Sequence, residues 1–269
     1  MRIATWNVNS VVARTPRLLD WLGVAEPDVL CLQELKCSDA AFPHDEVGEL
    51  GYQAATYCAG RWNGVAILSR VGLADVTRGL VGEPDFVDEG ALFGAPQRRA
   101  IGATCGGVRV WSLYVPNGRA PDHPHFDYKL EWLAAVQRTV AAELTDEPFA
   151  LLGDFNVAPT DEDVYDIADF AESTHVTEPE RRALADLRSS GLAEVMPRAL
   201  KGDRPYTYWD YRQLAFPKNN GMRIDLVYGN EAFTAAVRDA YVDRNARKDS
   251  TTGPPSDHAP VVVDLAFGE

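Results

Sequence analysis

The sequence predicts an α/β protein in which short strands and helices alternate along the whole chain. Apolar, β-rich runs are too numerous for a helical bundle, and the helical patterns between them are too frequent for a pure β-sandwich. Polar residues directly follow several of these runs, which is typical of ligand sites in layered α/β folds. The predicted strands cover residues 3–7, 29–33, 65–69, 101–104, 108–115, 149–153, 224–228 and 260–265.

Capping residues mark the expected helix ends. Thr15 followed by Pro16 indicates a helix start, because Pro is favoured in the first helical turn. Thr177 and Glu180 have the spacing of a capping box, and Gly191 marks the end of that helix. Two further helical signals lie at Thr160 with Asp163 and along the apolar stripe Leu133, Val136, Val140 and Leu144.

The composition is that of an ordinary globular protein. Apolar residues make up 46% and charged residues 25% of the 269 residues, which excludes disordered, collagen-like and coiled-coil classes. No break in composition suggests a linker, and no repeat is present, so we expect one domain spanning residues 1–269. Two irregular stretches, residues 79–99 and 200–221, exceed the usual loop length and indicate a functional role.

The cysteines and the start of the chain predict a cytoplasmic protein. The four cysteines form no C-x-x-C pair, so we expect neither a disulfide framework nor a zinc site. The chain enters a strand-like run at Ile3 with no signal-peptide pattern. No apolar stretch approaches the roughly 20 residues that a membrane span needs.

The net charge weighs against a nucleic-acid partner. The 26 Lys and Arg residues against 40 Asp and Glu residues give a formal charge of -14, whereas nonspecific nucleic-acid binders are usually basic. However, net charge reports solubility and long-range steering and not the charge of one face. A site for divalent metals also requires carboxylates, so the acidic balance does not exclude DNA.

Polar side chains at strand ends carry the strongest functional signal. Asn7 ends the first predicted strand, Glu34 follows the second, and Asp154 and Asn156 follow a later apolar run. Residues two apart in extended chain share a face, so Asp154 and Asn156 are expected to point into one cleft. There the carboxylate could take a proton from water, and the amide could donate to a phosphoryl oxygen. The alternative is an Asx turn with Phe155 in the core.

His258 is the histidine with the clearest functional context. It follows Asp257 and precedes an apolar strand, and it needs a second acid to fix its tautomer. Asp225 is the candidate, because an acid inside an apolar strand is costly unless it is paired. The remaining histidines are interpreted as loop or surface residues: His44, His123, His125 and His175.

The candidate residues offer oxygen ligands and no thiolate. Hard oxygen ligands favour Mg²⁺ or Mn²⁺ over zinc. Together with a histidine and a general base, such a cation supplies the groups that phosphodiester hydrolysis needs. The oxygen-bearing candidates are Glu34, Asp154, Asp225, Asp257 and Asn7.

Six ordered motifs resemble the exonuclease III family of apurinic/apyrimidinic (AP) endonucleases and cover essentially the whole chain. They are Trp6-Asn7-Val8-Asn9, Leu32-Gln33-Glu34, Tyr114-Val115-Pro116-Asn117-Gly118, Gly153-Asp154-Phe155-Asn156, Arg223-Ile224-Asp225 and Ser256-Asp257-His258-Ala259-Pro260. The resemblance implies a DNase I-like four-layer α-β-β-α sandwich, with two mixed β-sheets flanked by helices. It also implies a DNA repair nuclease that depends on Mg²⁺, with Mn²⁺ as a substitute.

The implied activity is cleavage of the phosphodiester 5′ to abasic sites, with 3′-5′ exonuclease and 3′-phosphodiesterase or phosphatase activity on duplex DNA. By resemblance, Glu34 would bind the metal, with Asn7 and Asp257 as direct or water-mediated ligands. Asp154 would orient and deprotonate the attacking water, and Asn156 would stabilise the charge that develops on the phosphoryl oxygens.

DNA contacts are implied in the same way. His258, held by Asp225, would contact the scissile phosphate together with Tyr114 and Asn117. A pocket for a base-free deoxyribose would be formed by Tyr208, Trp209, Met222 and Ile224. A positive track for DNA phosphates would be formed by Arg98, Arg99, Arg119, Arg212, Lys218 and Arg223.

One departure and two alternatives remain. Asn9 stands where some relatives carry Asp, which would weaken metal binding or remove a second metal position. Motifs shared across the wider superfamily do not identify the substrate. A metal-dependent phosphatase acting on a small phosphoester therefore remains an alternative function. A non-catalytic DNA-binding homologue stays open as well. The expected partner is double-stranded DNA with abasic sites or 3′ ends, bound by a monomer.

Overall fold

The computed structural model describes residues 1–58, 60–87, 94 and 97–267, and the strands among them form two mixed β-sheets. In chain order the strands are β1 (Arg2–Asn7), β2 (Val29–Gln33), β3 (Gln53–Tyr57), β4 (Val65–Ser69), β5 (Ala74–Arg78), β6 (Ala100–Cys105), β7 (Val108–Tyr114), β8 (Phe149–Asp154), β9 (Ala193–Glu194), β10 (Arg198–Ala199), β11 (Asp225–Gly229), β12 (Val237–Val242) and β13 (Val261–Leu265). The helices are α1 (Val11–Ala25), α2 (His44–Glu49), α3 (Pro124–Glu143), α4 (Glu178–Ser189), α5 (Ala215–Lys218) and α6 (Glu231–Ala236).

The strand order brings the candidate residues to one edge. The seven-stranded sheet has the order β10-β12-β13-β1-β2-β4-β3, and the six-stranded sheet has the order β5-β6-β7-β8-β11-β9. β1 and β2 run parallel to each other, as do β7 and β8, so the carboxyl ends of each pair lie side by side. β13 and β11 run antiparallel to these pairs, so their first residues lie at the same edge.

The two sheets pack face to face and are covered by helices on their outer faces. Alternate residues of each strand point inward, and the inter-sheet core includes Ile3, Cys31, Val110, Leu152 and Val263. The outer face of the seven-stranded sheet packs against α1, and that of the six-stranded sheet packs against α3 and α4. The four-layer sandwich implied by the resemblance is therefore confirmed.

A polar group crosses the core between the sheets. Gln33 on β2 donates through its side-chain amide to Thr5 Oγ1 on β1 and to Ser112 Oγ on β7, both at 3.0 Å. All three side chains are completely buried. Gln33 is the last residue of β2, and Thr5 and Ser112 lie two positions before the ends of β1 and β7, so the group ties the ends of both sheets together.

All eight predicted strands are present, with ends within one or two residues of the prediction. Five strands were not predicted, namely β3, β5, β9, β10 and β12. The four cysteines are buried and free, as expected. Part of the irregular stretch 79–99 (residues 88–93, 95 and 96) lies outside the described residues.

The predicted start of the first helix is wrong. α1 begins at Val11, with Ser10 as its N-cap, and Pro16 lies inside the helix. The Thr15 hydroxyl donates to the carbonyl of Val11 at 3.0 Å, one turn earlier, instead of capping a helix end. The capping box of Thr177 is confirmed at the start of α4, and the Thr160 box starts a single 3₁₀ turn at Asp161–Asp163.

Candidate active site

The edge formed by the strand ends brings together the polar residues that the sequence singled out. Asn7, Tyr114 and Asp154 are the last residues of β1, β7 and β8, and Glu34 directly follows β2. Asp225 opens β11, and His258 lies in the bend just before β13. Asp225 pairs with Asp154 in the sheet register, so their side chains lie on the same inner face. These six residues and the loops beside them form the candidate active site.

Asp154 occupies the centre of this site. Its Oδ2 accepts a hydrogen bond from Asn7 Nδ2 at 2.9 Å, and its Oδ1 accepts the backbone N–H of Asn156 at 2.9 Å. Burial, followed by the charge of Asp225, raises the pKa of Asp154 to about 7 against the opposing effect of His258. A carboxylate with such a pKa is suited to accept a proton near neutral pH.

The Asx-turn interpretation of this segment is confirmed. The bond from the Asn156 N–H makes an Asx turn, and Phe155 is completely buried in the core. The expectation that extended chain carries Asp154 and Asn156 on one face is wrong, because Asn156 has a φ of 49°. Asn156 instead reaches the site from a left-handed position, with its Nδ2 donating to Val115 O at 3.0 Å.

His258 and Asp225 make the contact that the sequence suggested. The imidazole Nδ1 lies 2.8 Å from Asp225 Oδ2, and Nε2 lies 3.9 Å from Asp154 Oδ2. Burial lowers the pKa of His258, but the charges of Asp225 and Asp154 outweigh it and raise the pKa to about 10. The imidazolium is thus held with Nε2–H directed towards Asp154. Among the described residues, Asp225 Oδ1 has no hydrogen-bond partner.

His175 is partly exposed and bonds to residues of the site, a contact that its interpretation as a surface residue did not include. Its Nδ1 lies 2.7 Å from the carbonyl of Thr174, which can only accept, so Nδ1 carries the proton. Nε2 then accepts from Asn117 Nδ2 at 3.1 Å, and the same amide donates to Asn156 Oδ1 at 3.2 Å. Burial, followed by the charge of Lys129, lowers the pKa of His175 to about 4 and keeps the ring neutral.

The other predicted loop histidines have structural positions. His44 is exposed. His123 is the N-cap of α3, and its ring accepts the backbone N–H of His125 at 2.9 Å. His125 is buried and accepts the N–H of Gly118 at 3.1 Å, which fixes the turn beside Asn117.

A corner of oxygen atoms lies beside Asp154. Asn9 N donates to Asn7 Oδ1 at 3.0 Å, and Asn9 Nδ2 donates to Asp257 Oδ1 at 3.0 Å. Lys36 Nζ lies 2.9 Å from Glu34 Oε1 and donates to Asn9 Oδ1 at 2.6 Å. These oxygens already attract a cation, which is the ammonium group of Lys36.

The donor set of this corner fits Mg²⁺. In the described part of the chain, no three His, Cys, Asp or Glu side chains form a cluster that would hold a metal alone. Mg²⁺ does not require one, because it keeps several waters and binds through one or two carboxylates. Glu34 and Asp257 supply two carboxylates, and the hydrogen bonds of Asn9 and Lys36 link both of them to the amides of Asn7 and Asn9.

Several site residues have a left-handed backbone, which is unfavourable for side chains other than glycine. Backbone strain of this kind persists where the surroundings over-determine the conformation, and it is concentrated at functional sites. The residues near this edge with a positive φ are Asn9, Ser10, Glu34, Lys36, Arg98, Arg119, Asn156 and His175.

Tyr114 is packed under a guanidinium group. Arg99 stacks 4.6 Å from the centre of the Tyr114 ring, and its Nη1 donates to the Tyr114 carbonyl at 3.3 Å. Burial, followed by the charge of Glu34, raises the pKa of Tyr114, so the phenol keeps its proton. Arg99 is buried, whereas Arg98 is exposed and donates to the carbonyl of Cys58.

An open pocket of about 300 Å³ with both aromatic and polar walls lies next to Tyr208. Tyr208 and Met222 form part of its wall, with Tyr165 and Phe170 from a loop that sequence reasoning did not flag. The Tyr208 ring lies 4.9 Å from the His258 ring, which joins the pocket to the site.

Two residues predicted for the pocket lie beneath or outside it. Ile224 is buried in the layer under Met222. Trp209 is a correction, because it is 1% exposed, packs on Phe216 in the inter-sheet core and donates to Asn219. Its indole therefore has no surface to offer to DNA.

The positive track is shorter than predicted. Arg119, Arg212 and Lys218 are exposed, but Arg212 is paired with Asp210 at 2.7 Å. Arg223 is wrong as a track residue, since it is 1% exposed and held by Asp163 at 2.6 Å and by Glu194. Its planar fork matches these carboxylates, and burial prevents contact with a ligand.

An exposed tryptophan beside the site was also missed. Trp62 is 63% exposed, with the Arg61 guanidinium 4.6 Å from the ring centre. This loop is tied to the chain after Glu34 through the bonds from Leu35 N to Gly64 O and from Lys36 N to Asn63 O. Nothing in the local sequence distinguishes this tryptophan from a core residue.

The two packed mixed sheets and the polar edge at their strand ends agree with the family that the sequence matches. A profile of the endonuclease/exonuclease/phosphatase family matches residues 4–258, and the chain belongs to this family. The DNA repair nuclease APEX1 of Danio rerio is 30% identical over 274 residues, which cover 99% of this chain and 82% of that protein.

Two solved structures are similar over nearly their full lengths. The 3′ phosphatase NExo from Neisseria, bound to a product DNA hairpin, is 38% identical with a TM-score of 0.90, covering 99% of this chain and 100% of that one. An AP endonuclease from Archaeoglobus fulgidus is 30% identical with a TM-score of 0.87, covering 98% and 99%. In the described residues, we find no helix with the length and apolar content to cross a bilayer.

Proposed function

We propose that this protein is a Mg²⁺-dependent DNA repair nuclease acting in base excision repair. It would cleave the phosphodiester 5′ to abasic sites and also act as a 3′-5′ exonuclease and 3′-phosphodiesterase or phosphatase. The observation that carries the proposal is the pair of Asp154 and His258, 3.9 Å apart, with an open pocket on the far side of Tyr208. The names of the similar proteins support the same substrate class.

In the proposed chemistry, His258 and Asp154 have different roles. His258, kept charged by Asp225, donates its Nε2–H to a phosphoryl oxygen of the scissile phosphate. Asp154, whose pKa is about 7, orients the attacking water and takes its proton. Asn156 has one amide hydrogen bonded to Val115 O, and the second stabilises charge on the phosphoryl oxygens. Tyr114 donates its phenol to the same phosphate.

Glu34 and Asp257 would hold the magnesium ion, with Asn7 and Asn9 beside them. When bound, the ion supplies Lewis-acid stabilisation of the phosphoryl and leaving oxygens. The chain prepares the position by keeping Glu34 within reach of Lys36, whose ammonium offsets the negative charge of the carboxylate. Displacement of Lys36 Nζ from Glu34 would free that ammonium to contact DNA.

Recognition would combine the pocket with a few phosphate contacts. Tyr208 and Met222 offer an apolar surface to a sugar that lacks its base, and a normal nucleotide is excluded by its bulk. Arg98, Arg119 and Asn117 are exposed around the site and would position the backbone. We expect the protein to act as a monomer.

Product analysis on labelled DNA tests the proposal. A 5′-labelled duplex with one abasic site is incubated with Mg²⁺ or with EDTA, beside an undamaged recessed duplex and a duplex with a 3′-phosphate. We expect a metal-dependent nick 5′ to the lesion, leaving a 3′-hydroxyl, and metal-dependent loss of the 3′-phosphate. Asp154→Asn should lower these rates by at least 10²-fold, since it removes the proton acceptor.

Asp239→Asn is the matched control, because Asp239 is a partly exposed acid paired with Arg198 away from the site. It should retain wild-type rates. If Mg²⁺ produced no nick and no phosphate release, or if Asp154→Asn matched the control, the proposed nuclease function would be refuted. Turnover of inositol phosphates without DNA cleavage would point to the small-phosphoester alternative.

A further inference from the structure

A fully buried ion pair lies directly behind the catalytic loops. Lys129 on α3 and Glu180 on α4 are both 0% exposed, and Lys129 Nζ donates to Glu180 Oε1. The ammonium also donates to the carbonyl oxygen of Asn156 at 2.7 Å and to that of Asn117 at 3.2 Å. One cation thus binds the backbone of two loops that follow different strands, β7 and β8.

The carboxylate of this pair holds a third segment. Glu180 Oε1 accepts the N–H of His175 at 2.9 Å and the hydroxyl of Thr174 at 2.6 Å. The Thr174 hydroxyl also lies 2.9 Å from the carbonyl of Asn117. Since the His175 ring accepts from the Asn117 side chain, the network closes around both amides that face the proposed phosphate position.

Stability alone does not account for such a pair. Removing two charges from water is costly, and apolar residues of similar volume often stabilise a protein at least as well. The two backbone carbonyls that accept from Lys129 belong to Asn117 and Asn156, whose side chains face the proposed phosphate position. A charged ammonium holds these two carbonyls more firmly than a neutral donor would, because charge-assisted hydrogen bonds are short and strong.

We propose that Lys129 and Glu180 are positioning residues of the nuclease site. Their ion pair fixes the backbone of Asn117 and Asn156, and it thereby sets the orientation of both amides relative to Asp154. The inference rests on the proposed function and deepens it, because it adds residues of α3 and α4 that contact no substrate.

The test removes both charges at once. Lys129→Met alone would leave a buried unpaired carboxylate and unfold the protein. The double variant Lys129→Met/Glu180→Gln is uncharged, and Gln retains the capping box with Thr177. We expect its thermal midpoint to stay within a few degrees of wild type, kcat on the abasic duplex to fall about 10- to 100-fold, and KM to change less than twofold. A shift of about 1 Å in a reacting group is enough for such a loss.

The control removes another ion pair that joins a strand to α3, partly exposed and at the opposite end of β7 from the site. Arg109 at the start of β7 pairs with Glu143 at the end of α3 at 2.9 Å. Arg109→Met/Glu143→Gln should keep wild-type kcat. Wild-type kcat in the Lys129 double variant would overturn the proposal, because the pair would then be only structural.

Hydrogen exchange gives a readout that does not depend on activity. In the double variant, the backbone amides of residues 115–119, 155–158 and 174–176 should exchange at least tenfold faster, with no change in the central strands. Unchanged exchange would overturn the proposal even if the wild type proved inactive, whereas an inactive wild type would refute the proposed function alone. If the double variant fails to fold, Thr174→Val serves instead. It removes one neutral link and should lower kcat about threefold, and an unchanged kcat would again overturn the inference.

Discussion

Replacing Gln33 with leucine removes the amide that joins the two sheets across the core. Gln33 Nε2 donates to Thr5 Oγ1 and Ser112 Oγ, and Thr5 Oγ1 lies 3.2 Å from Gln33 Oε1. Leucine has a similar volume, so the change leaves little cavity. Its main effect is to leave polar groups without partners in a place that water cannot reach.

The expected cost follows from the two hydroxyl groups. Thr5 loses all of its side-chain hydrogen bonds, which costs about 1–3 kcal/mol for a buried polar group. Ser112 still donates to the carbonyl of Leu32 at 3.0 Å, so its loss is nearer to about 1 kcal/mol. We expect the free energy of unfolding to fall by about 2–4 kcal/mol. The triple variant Gln33→Leu/Thr5→Val/Ser112→Ala should recover most of it, because no hydroxyl remains unpaired.

Urea unfolding followed by tryptophan fluorescence measures these differences. The midpoint should fall in Gln33→Leu at unchanged m-value and return in the triple variant. Gln53→Leu is the matched control, because Gln53 is exposed on β3 of the same sheet. A Gln33→Leu midpoint equal to that of the control, or a triple variant less stable than the single one, would refute the argument from unpaired hydroxyls.

Three further predictions concern the frame of the site. Gly153→Ala should abolish soluble expression, because φ is 153° and a Cβ would lie 1.9 Å from the backbone oxygen of Leu113; soluble yield checks this. Burial lowers the pKa of His125 to about 4, below its value in the unfolded chain, so stability should fall as the pH drops from about 6.5 to 4. In His125→Gln, urea unfolding across that pH range should show a weaker dependence of the unfolding free energy on pH. The difference should correspond to the uptake of up to one proton fewer on unfolding. Mg²⁺ should raise the thermal midpoint of wild type by mass action but leave Glu34→Gln unchanged, as calorimetry would show.

The strands that the sequence predicted are those buried on both faces. β2, β4 and β8 read as continuous apolar runs and are buried throughout, so periodicity and burial agree. β5 reads Ala-Asp-Val-Thr-Arg at the edge of its sheet and is largely exposed. β12 alternates buried and exposed residues with charges among them. Each pairs with the next strand in the chain, β6 and β13, but its half-exposed, charged sequence forms no apolar run, so no local pattern reveals it.

The residues of the candidate site also fall into two groups, those that a local sequence pattern revealed and those that depend on packing. Asp154 and Glu34 were found because a polar residue directly after a buried run is conspicuous, and His258 was found from the acid beside it. His175 and Lys129 gave no such signal, because neither directly follows a buried strand. Their contacts with the site form only when α3 and α4 pack on the loops. Resemblance also misplaced Arg223, whose acidic partners are distant in the sequence.

The acidic balance of the chain is compatible with DNA as a partner, given what the site itself contains. The negative charges at its centre are offset locally by His258 and by Lys36, which bonds to Glu34. The positive track is weakened at two of its expected positions, because Arg212 is paired with Asp210 and Arg223 is buried. Each phosphate contact adds to nonspecific affinity, and a protein with few contacts binds undamaged duplex weakly at physiological salt. On the proposed function, selection would then fall to the pocket walled by Tyr208 and Met222, whose apolar surfaces could hold a sugar that lacks its base.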